Sequence, residues 1–309
     1  MLDGALYVPS GRSVWEFGPE RITKPRQLKT TKKRTEQLTA ADRERKDQSF
    51  VFVTPRIWHT DLAGWESERK DDGWKTVRII DAVGLEIWLA ENPAVAYPFA
   101  VRLGLIPPSG VQTVQHFWEE YRASFKPALS TELLLAGREE LQKLVCNGMS
   151  AGVANLTRWK ADSAMEASAF IAACILAAEP ELSRFLMSKT LFIETDDAAR
   201  RLPITNHSNL ICFPTASKVG SVRSQTNHVL LVFGNGERAD SAQVLERLNT
   251  RDFASGLKSM GIDEEEAFRL AVTCGRSLTV LSRIKASGLK PLPLWHDDTD
   301  LIPLTLAGA

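Results

Sequence analysis

Apolar positions along this chain follow a period of two in some stretches and helical spacing in others, and the two alternate in a regular order. Residues 2 to 8 and 12 to 17 run in strand fashion, and Pro9-Ser10-Gly11-Arg12 supplies turn chemistry between them, which predicts a β-hairpin. Residues 20 to 48 lack apolar periodicity and read as a helix flanked by loops. A buried strand is expected over Phe50 to Thr54, ended by Pro55, and another over Trp74 to Ile80. The helix after it places Leu85, Trp88 and Leu89 on one face. A short helix from about Val111 to Ser124 is bracketed by prolines, and a domain boundary is expected near Pro127.

Beyond that boundary the pattern predicts a helix over Glu139 to Asn147, a strand over Val153 to Lys160 and an alanine-rich helix over Ser163 to Ala178. Strands follow at Thr190 to Glu194, Asn209 to Phe213 and His228 to Phe233, and Ser241 to about Ala286 reads as mostly helical. The expected class is therefore α/β, with a small α/β segment over 1–126, a parallel-sheet core over 127–240, and a helical lid and tail over 241–309.

Composition narrows the function classes. At 44% hydrophobic residues, 309 residues can build real cores. No run reaches the roughly 18 to 20 apolar residues of a membrane span and no signal segment opens the chain, so no membrane partner and a cytoplasmic location are expected. Cys146, Cys174, Cys212 and Cys274 lie far apart and read as reduced core residues. The five histidines, His59, His116, His207, His228 and His296, show no ligand spacing. Net charge is zero, yet Glu20 to Lys46 holds ten Lys or Arg against four Asp or Glu. Such a segment suits a phosphate backbone, which rewards cations by counterion release. The eight tryptophans are mixed with Leu, Val and Phe and read as core packing.

Candidate chemistry begins in the hairpin. If Ser10 and Gly11 are its central turn residues, Glu16 lies opposite Ala5 and Asp3 falls two residues along on the same face. Carboxylates on such diagonal positions, about 7–8 Å apart, could share one cation. Acid, short connection and strand Glu resemble the PD-(D/E)xK restriction-endonuclease-like pattern, with Asp3 and Glu16 matching the two acids. That resemblance implies a Mg²⁺ ion held by Asp3 and Glu16, and a lysine to stabilise transition-state charge. Gly18 stands where the pattern has its lysine, so Lys24 is the substitute candidate, with Lys29 behind it. Lys24, Arg26, Lys29, Lys32, Lys33 and Arg34 would then hold DNA backbone.

The stretches VPSGRSVWEFG, KPRQLKTTKKRTE, FVFVTPRIW, GWKTVRIIDAVGLEIWLAENPAV and GVQTVQHFWEEY occur in an order that resembles the N-terminal region of large bacterial STAND- or AAA-like NTPase-type defence proteins. The resemblance implies a restriction-endonuclease-like α/β segment, then a P-loop-like parallel-sheet domain with a helical lid. It also implies a truncated member, with fold missing before Met1 and a further domain expected after the apolar C-terminal stretch. In such NTPases the first core strand leads into G-x-x-x-x-G-K-[ST]. Here the loop reads Lys160-Ala161-Asp162-Ser163-Ala164, with no glycine, and Asp162 reads as an N-cap whose charge repels phosphate. That argues against ATP hydrolysis. Arg138, Ser163 and Arg276 are the candidate nucleotide contacts, Arg276 as a lid residue, while Gly234 and Gly236 read as turn glycines. Two functions follow. One is a DNA-acting component of a defence-type system with a Mg-dependent phosphodiesterase site. The other is a non-catalytic scaffold that binds or regulates a protein partner.

Overall fold

The computed structural model describes residues 8–18, 46–58, 63–64, 66–67, 73–106, 109–202 and 208–287. The chain divides into two compact units, Met1–Ala90 and Glu91–Ala309. This division lies upstream of the Pro127 expectation because residues 111–125 belong to the larger unit. Val111–Thr113 is a strand of its sheet, and Phe117 and Trp118 enter its core.

The smaller unit is built on three parallel strands in the order β1-β2-β3: β1 Ser13–Phe17, β2 Ser49–Val53 and β3 Thr76–Ile80. The sequence SFVFV of β2 is buried on both faces, as a central parallel strand must be. Phe50, Phe52, Trp74 and Val77 pack on one face; Val51, Val53 and Ile80 pack on the other, under helix α1, Ala82–Glu91. Leu85 and Trp88 of α1 lie against that second face, and Trp88 stacks on Trp15 at 6.3 Å between ring centroids. Leu89, expected on the same face, is exposed. The observed neighbour of β1 is β2, in parallel register with Ser13 beside Ser49. The first strand of the expected hairpin covers residues 2–8, of which 2–7 lie outside the described residues and Val8 is in a bend.

The larger unit carries a mixed six-stranded sheet. Helix α2 (Pro93–Arg102) leads to β4 (Val111–Thr113), helix α3 (Val114–Ala123), the short α4 (Thr131–Leu135), α5 (Glu139–Ser150) and β5 (Asn155–Lys160). The stretch expected to be one helix from Val111 therefore opens as a strand. Thr113 is extended and caps α3 by accepting from the His116 amide. Next come α6 (Ala164–Leu176), α7 (Pro180–Lys189), β6 (Thr190–Ile193), α8 (Asp196–Arg201), β7 (Asn209–Cys212), α9 (Ser217–Arg223), β8 (His228–Phe233) and β9 (Gln243–Val244). Three helices follow: α10 (Thr250–Ser259), α11 (Glu264–Thr273) and α12 (Leu278–Ser287).

Strand order is β4-β6-β7-β8-β5-β9, all parallel except β4, which runs antiparallel to β6. One face of the sheet is covered by α6, whose residues from Glu166 to Ile175 are all buried, together with α3, α5 and the C-terminal helices. The other face packs against α2, α8 and α9. The connection leaving β5 thus runs over one face and those leaving β6 and β7 over the other. Such a reversal opens a crevice at the carboxyl ends of the strands, here between β5 and β8. No helix among the described residues is long and apolar enough to cross a membrane.

Candidate functional site

Glu16 occupies the fourth position of β1, beside Phe52 of β2 and on the Val14 side of the strand. It is buried, on the face that packs Phe50, Phe52 and Trp74 rather than on the α1 face. Its expected partners Asp3, Lys24, Arg26, Lys29, Lys32, Lys33 and Arg34 all lie outside the described residues. Among the described residues, no group of three or more His, Cys, Asp or Glu side chains is arranged to hold a metal ion.

The crevice at the strand ends of the larger unit is a cleft of about 680 Å³. Its apolar wall includes Phe117, Tyr121 and Phe213, and its carboxylates are Glu120, Glu194 and Glu237; among the described residues no lysine or arginine lines it. The β5–α6 loop forms one rim, and its polar groups are already committed. Asp162 Oδ2 accepts from Arg247 Nε at 2.6 Å and its Oδ1 from Asn235 Nδ2 at 3.0 Å. Glu237 folds back so that its carboxylate accepts from the Gly234 amide at 2.7 Å, and its carbonyl accepts from Lys160 Nζ at 3.1 Å. Lys160, the one lysine of the loop, is therefore drawn toward the β8–β9 connection.

Ser163, rather than Asp162, is the N-cap of α6: its hydroxyl accepts from the Glu166 amide at 3.1 Å. Asp162 precedes the cap, and its charge still stands beside the helix N-terminus, where an incoming anion would have to bind. The three candidate nucleotide contacts separate here. Ser163 is spent on capping, while Arg138 and Arg276 both line a narrow gap beside Glu166 under the C-terminal helices. Arg138 is buried and donates to the carbonyls of Leu134 and Glu246, with its guanidinium over the Phe170 ring at 5.7 Å. Arg276 sits at φ 61°, in the left-handed region, just after Gly275 at φ 55° at the turn from α11 to α12. Two left-handed residues in succession set the direction in which α12 leaves α11.

No protein-family model matches the chain, and no curated protein sequence matches it. The site must therefore be judged on its own chemistry. Glu166 is the residue that the pattern of apolar positions hid. It is 5% exposed, and its Oε2 makes no hydrogen bond to any described residue. Burial, reinforced by the Asp162 carboxylate, pushes its carboxyl up to about 7 against the opposing pull of Arg138 and Arg247. The signal in the sequence was Ser163-Ala-Met-Glu166, a capping-box spacing. The same carboxyl helps hold the Tyr121 phenol above its ordinary value, after burial as the larger cause. Burial also lowers Arg138.

Proposed function

We propose that the larger unit is a P-loop-like module without nucleotide hydrolysis, serving as a regulatory, protein-binding scaffold within a bacterial defence-type protein. The observation that carries this reading is the Asp162–Arg247 ion pair at the start of α6. A phosphate loop needs bare amides and a free lysine at that place. This loop offers a carboxylate, a capped first turn and a lysine bonded elsewhere. Strand order supports the kinship. Renumbered along the chain, the parallel strands β5 to β9 lie in the order 5-1-4-3-2, with the first strand inside the sheet at the switch point. Three glutamates in the adjoining cleft make it a poor place for a triphosphate and a suitable one for a cationic group.

Calorimetric titration of the full chain with MgATP and with MgADP tests this, beside a phosphate-release assay. No saturable binding and no turnover are expected. Turnover that survives repurification and disappears in an Asp162→Ala variant would overturn the reading.

A second reading keeps the smaller unit as a nuclease-like segment that acts on DNA with Mg²⁺, and the observation in its favour is Glu16, a carboxylate buried on an outer strand of a small parallel sheet. In this reading Asp3 and Glu16 hold the metal, Lys24 supplies the positive charge, and Lys24 to Arg34 bind the backbone. Plasmid cleavage with Mg²⁺ should be lost in an Asp3→Ala, Glu16→Ala double variant. Absence of cleavage in the parent protein, or equal cleavage in both, removes this reading and leaves the scaffold.

A further inference from the structure

The cleft of the larger unit spans the carboxyl ends of β6, β7, β8 and β5, and its three glutamates are spread along that span. Glu120, from α3, stands at the β4 flank, where its Oε2 accepts from Gln112 Nε2 at 2.8 Å. Glu194 is the first residue after β6. Glu237 lies in the connection that leaves β8, folded back onto the Gly234 amide at that strand's end. β7 separates β6 from β8, and neighbouring strands lie about 4.8 Å apart, so those two strand ends stand about 10 Å from one another. The carboxylates therefore form a row across the cleft. Between Glu194 and Glu237 comes the end of β7, which contributes Phe213 and Pro214.

Two groups on this lining have no partner of their own. The Glu194 carboxylate makes no hydrogen bond or ion pair with any described residue; its amide donates to the Gly110 carbonyl, and its carbonyl accepts from the Thr215 hydroxyl. The Tyr121 hydroxyl makes no hydrogen bond to any described residue either, and its ring stacks on Phe117 at 6.1 Å. Both residues are partly exposed and line the cleft, so their polar ends are within reach of a ligand. Burial, with Glu166 adding to it, holds the Tyr121 phenol above its ordinary value, so the hydroxyl keeps its proton. The other polar lining groups are satisfied locally: Gln112 donates to Glu120, and the Ser124 hydroxyl donates to the Tyr121 carbonyl at 2.7 Å. The N-terminus of α6, which would repel a cation, is capped by Ser163 and preceded by Asp162. At about 680 Å³ the cleft has the size of a ligand site, for which about 300 to 1,000 Å³ is usual.

We propose that this cleft binds a linear aliphatic polyamine, with its ammonium groups on the Glu120, Glu194 and Glu237 carboxylates and its methylenes over Tyr121, Phe213 and Met165. An ammonium group only donates, and this lining offers it carboxylate and phenol oxygens. Its bonds to carboxylates are charge-assisted, and the face of the Tyr121 ring adds attraction for a cation. Spacing decides between cations. A single metal ion can meet only one place in a row, and among the described residues no group of acids is arranged to hold one. A chain of ammonium groups separated by methylenes matches carboxylates separated by apolar wall. The inference goes beyond the scaffold reading, which needs only that the cleft reject phosphate.

Calorimetric titration of the full chain with spermidine tests the assignment, with magnesium chloride and trilysine as cations that lack the linear form. Saturable one-to-one binding of spermidine is expected, with magnesium and trilysine each weaker by about tenfold or more. Glu194→Gln removes a carboxylate that holds nothing else in place; it should weaken spermidine about tenfold, equivalent to about 1.4 kcal/mol, and leave the urea midpoint where it was. Met165→Lys sets a cation on an exposed rim position and should weaken spermidine at least as much. No saturable spermidine binding would overturn the proposal. Equal affinity for magnesium or trilysine would overturn it too, since a diffuse negative field would then explain the binding. Spermidine affinity unchanged in both variants would place the ligand elsewhere and overturn it as well. The MgATP titration is read separately, so failure of spermidine to bind leaves the scaffold reading standing.

Discussion

Replacing Glu166 by glutamine should make the protein more stable at alkaline pH and leave it almost unchanged at acid pH. A glutamate whose carboxyl titrates near 7 when folded, and near 4.5 when unfolded, favours the folded state only while it carries its proton. Below pH 4.5 both states are protonated and nothing is lost. As pH rises from there toward 7, the unfolded chain ionises freely while the folded one resists. Above about 7 the full penalty is present, on the order of 3 kcal/mol. Arg138 does not cancel it, because its guanidinium is engaged by the Leu134 and Glu246 carbonyls. The assay is urea denaturation of the parent and Glu166→Gln from about pH 5 to pH 8, comparing midpoints at matched slopes. The stability difference should grow with pH toward roughly 3 kcal/mol in favour of the variant. The amide adds an offset of its own, but that offset does not vary with pH, so the slope is the diagnostic. A difference that stays flat from about pH 5 to pH 8 would refute the reasoning. It would mean that Arg138 and Arg247 together outweigh burial and keep Glu166 ionised near its ordinary range.

Three other substitutions test the packing around this site. Gly256→Ala places a Cβ 2.5 Å from Leu133 Cδ1 and 2.6 Å from its Cα, and backbone cannot rotate away. Forcing α10 off α4 costs about 1–3 kcal/mol against a helix-propensity gain of about 1, so a lower urea midpoint is expected. Arg138→Met strips the donor from two carbonyls and a positive charge from beside Glu166. A loss of about 3 kcal/mol is expected by thermal or urea denaturation, because one side of a buried polar arrangement is left behind. Asp162→Asn breaks an ion pair whose arginine is half exposed, so stability should change by no more than about 1 kcal/mol, and calorimetry should still find no MgATP binding.

The elements that the sequence made legible are those whose side chains settle the matter locally. HVLLVF is a strand over the expected residues because six apolar or part-apolar positions in a row admit little else in the middle of a parallel sheet. The alanine-rich run after Ser163 is a buried helix for the same reason, its small side chains letting neighbours approach from every side. What the sequence hid is pairing. The Pro-Ser-Gly-Arg turn signal points to residues 2–8 as a partner of β1, nearly all of them outside the described residues, and it says nothing of β2, some thirty residues on, which pairs with β1 in parallel. Helix α7 was missed because Pro180 separates it from α6 after a break of only three residues, and its apolar positions are few. Glu166 looked ordinary by itself; its meaning comes from the packing that buries it beside Arg138 and within the field of Asp162.

The topology of the larger unit and the charges at its strand ends point in different directions. An interior first strand, a switch point and a helix beginning just beyond it are the parts of a phosphate site that depend on backbone alone. The parts that depend on side chains are reversed in sign. Asp162 stands before the helix, Glu120, Glu194 and Glu237 line the cleft beside it, and the nearest lysine bonds a carbonyl. Arg247 reaches from the approach to α10 to neutralise Asp162 and also donates to the Gly275 carbonyl. That arginine ties the start of α6 to the turn between α11 and α12. Under the scaffold reading proposed above, this contact would hold the C-terminal helices in one position without a ligand.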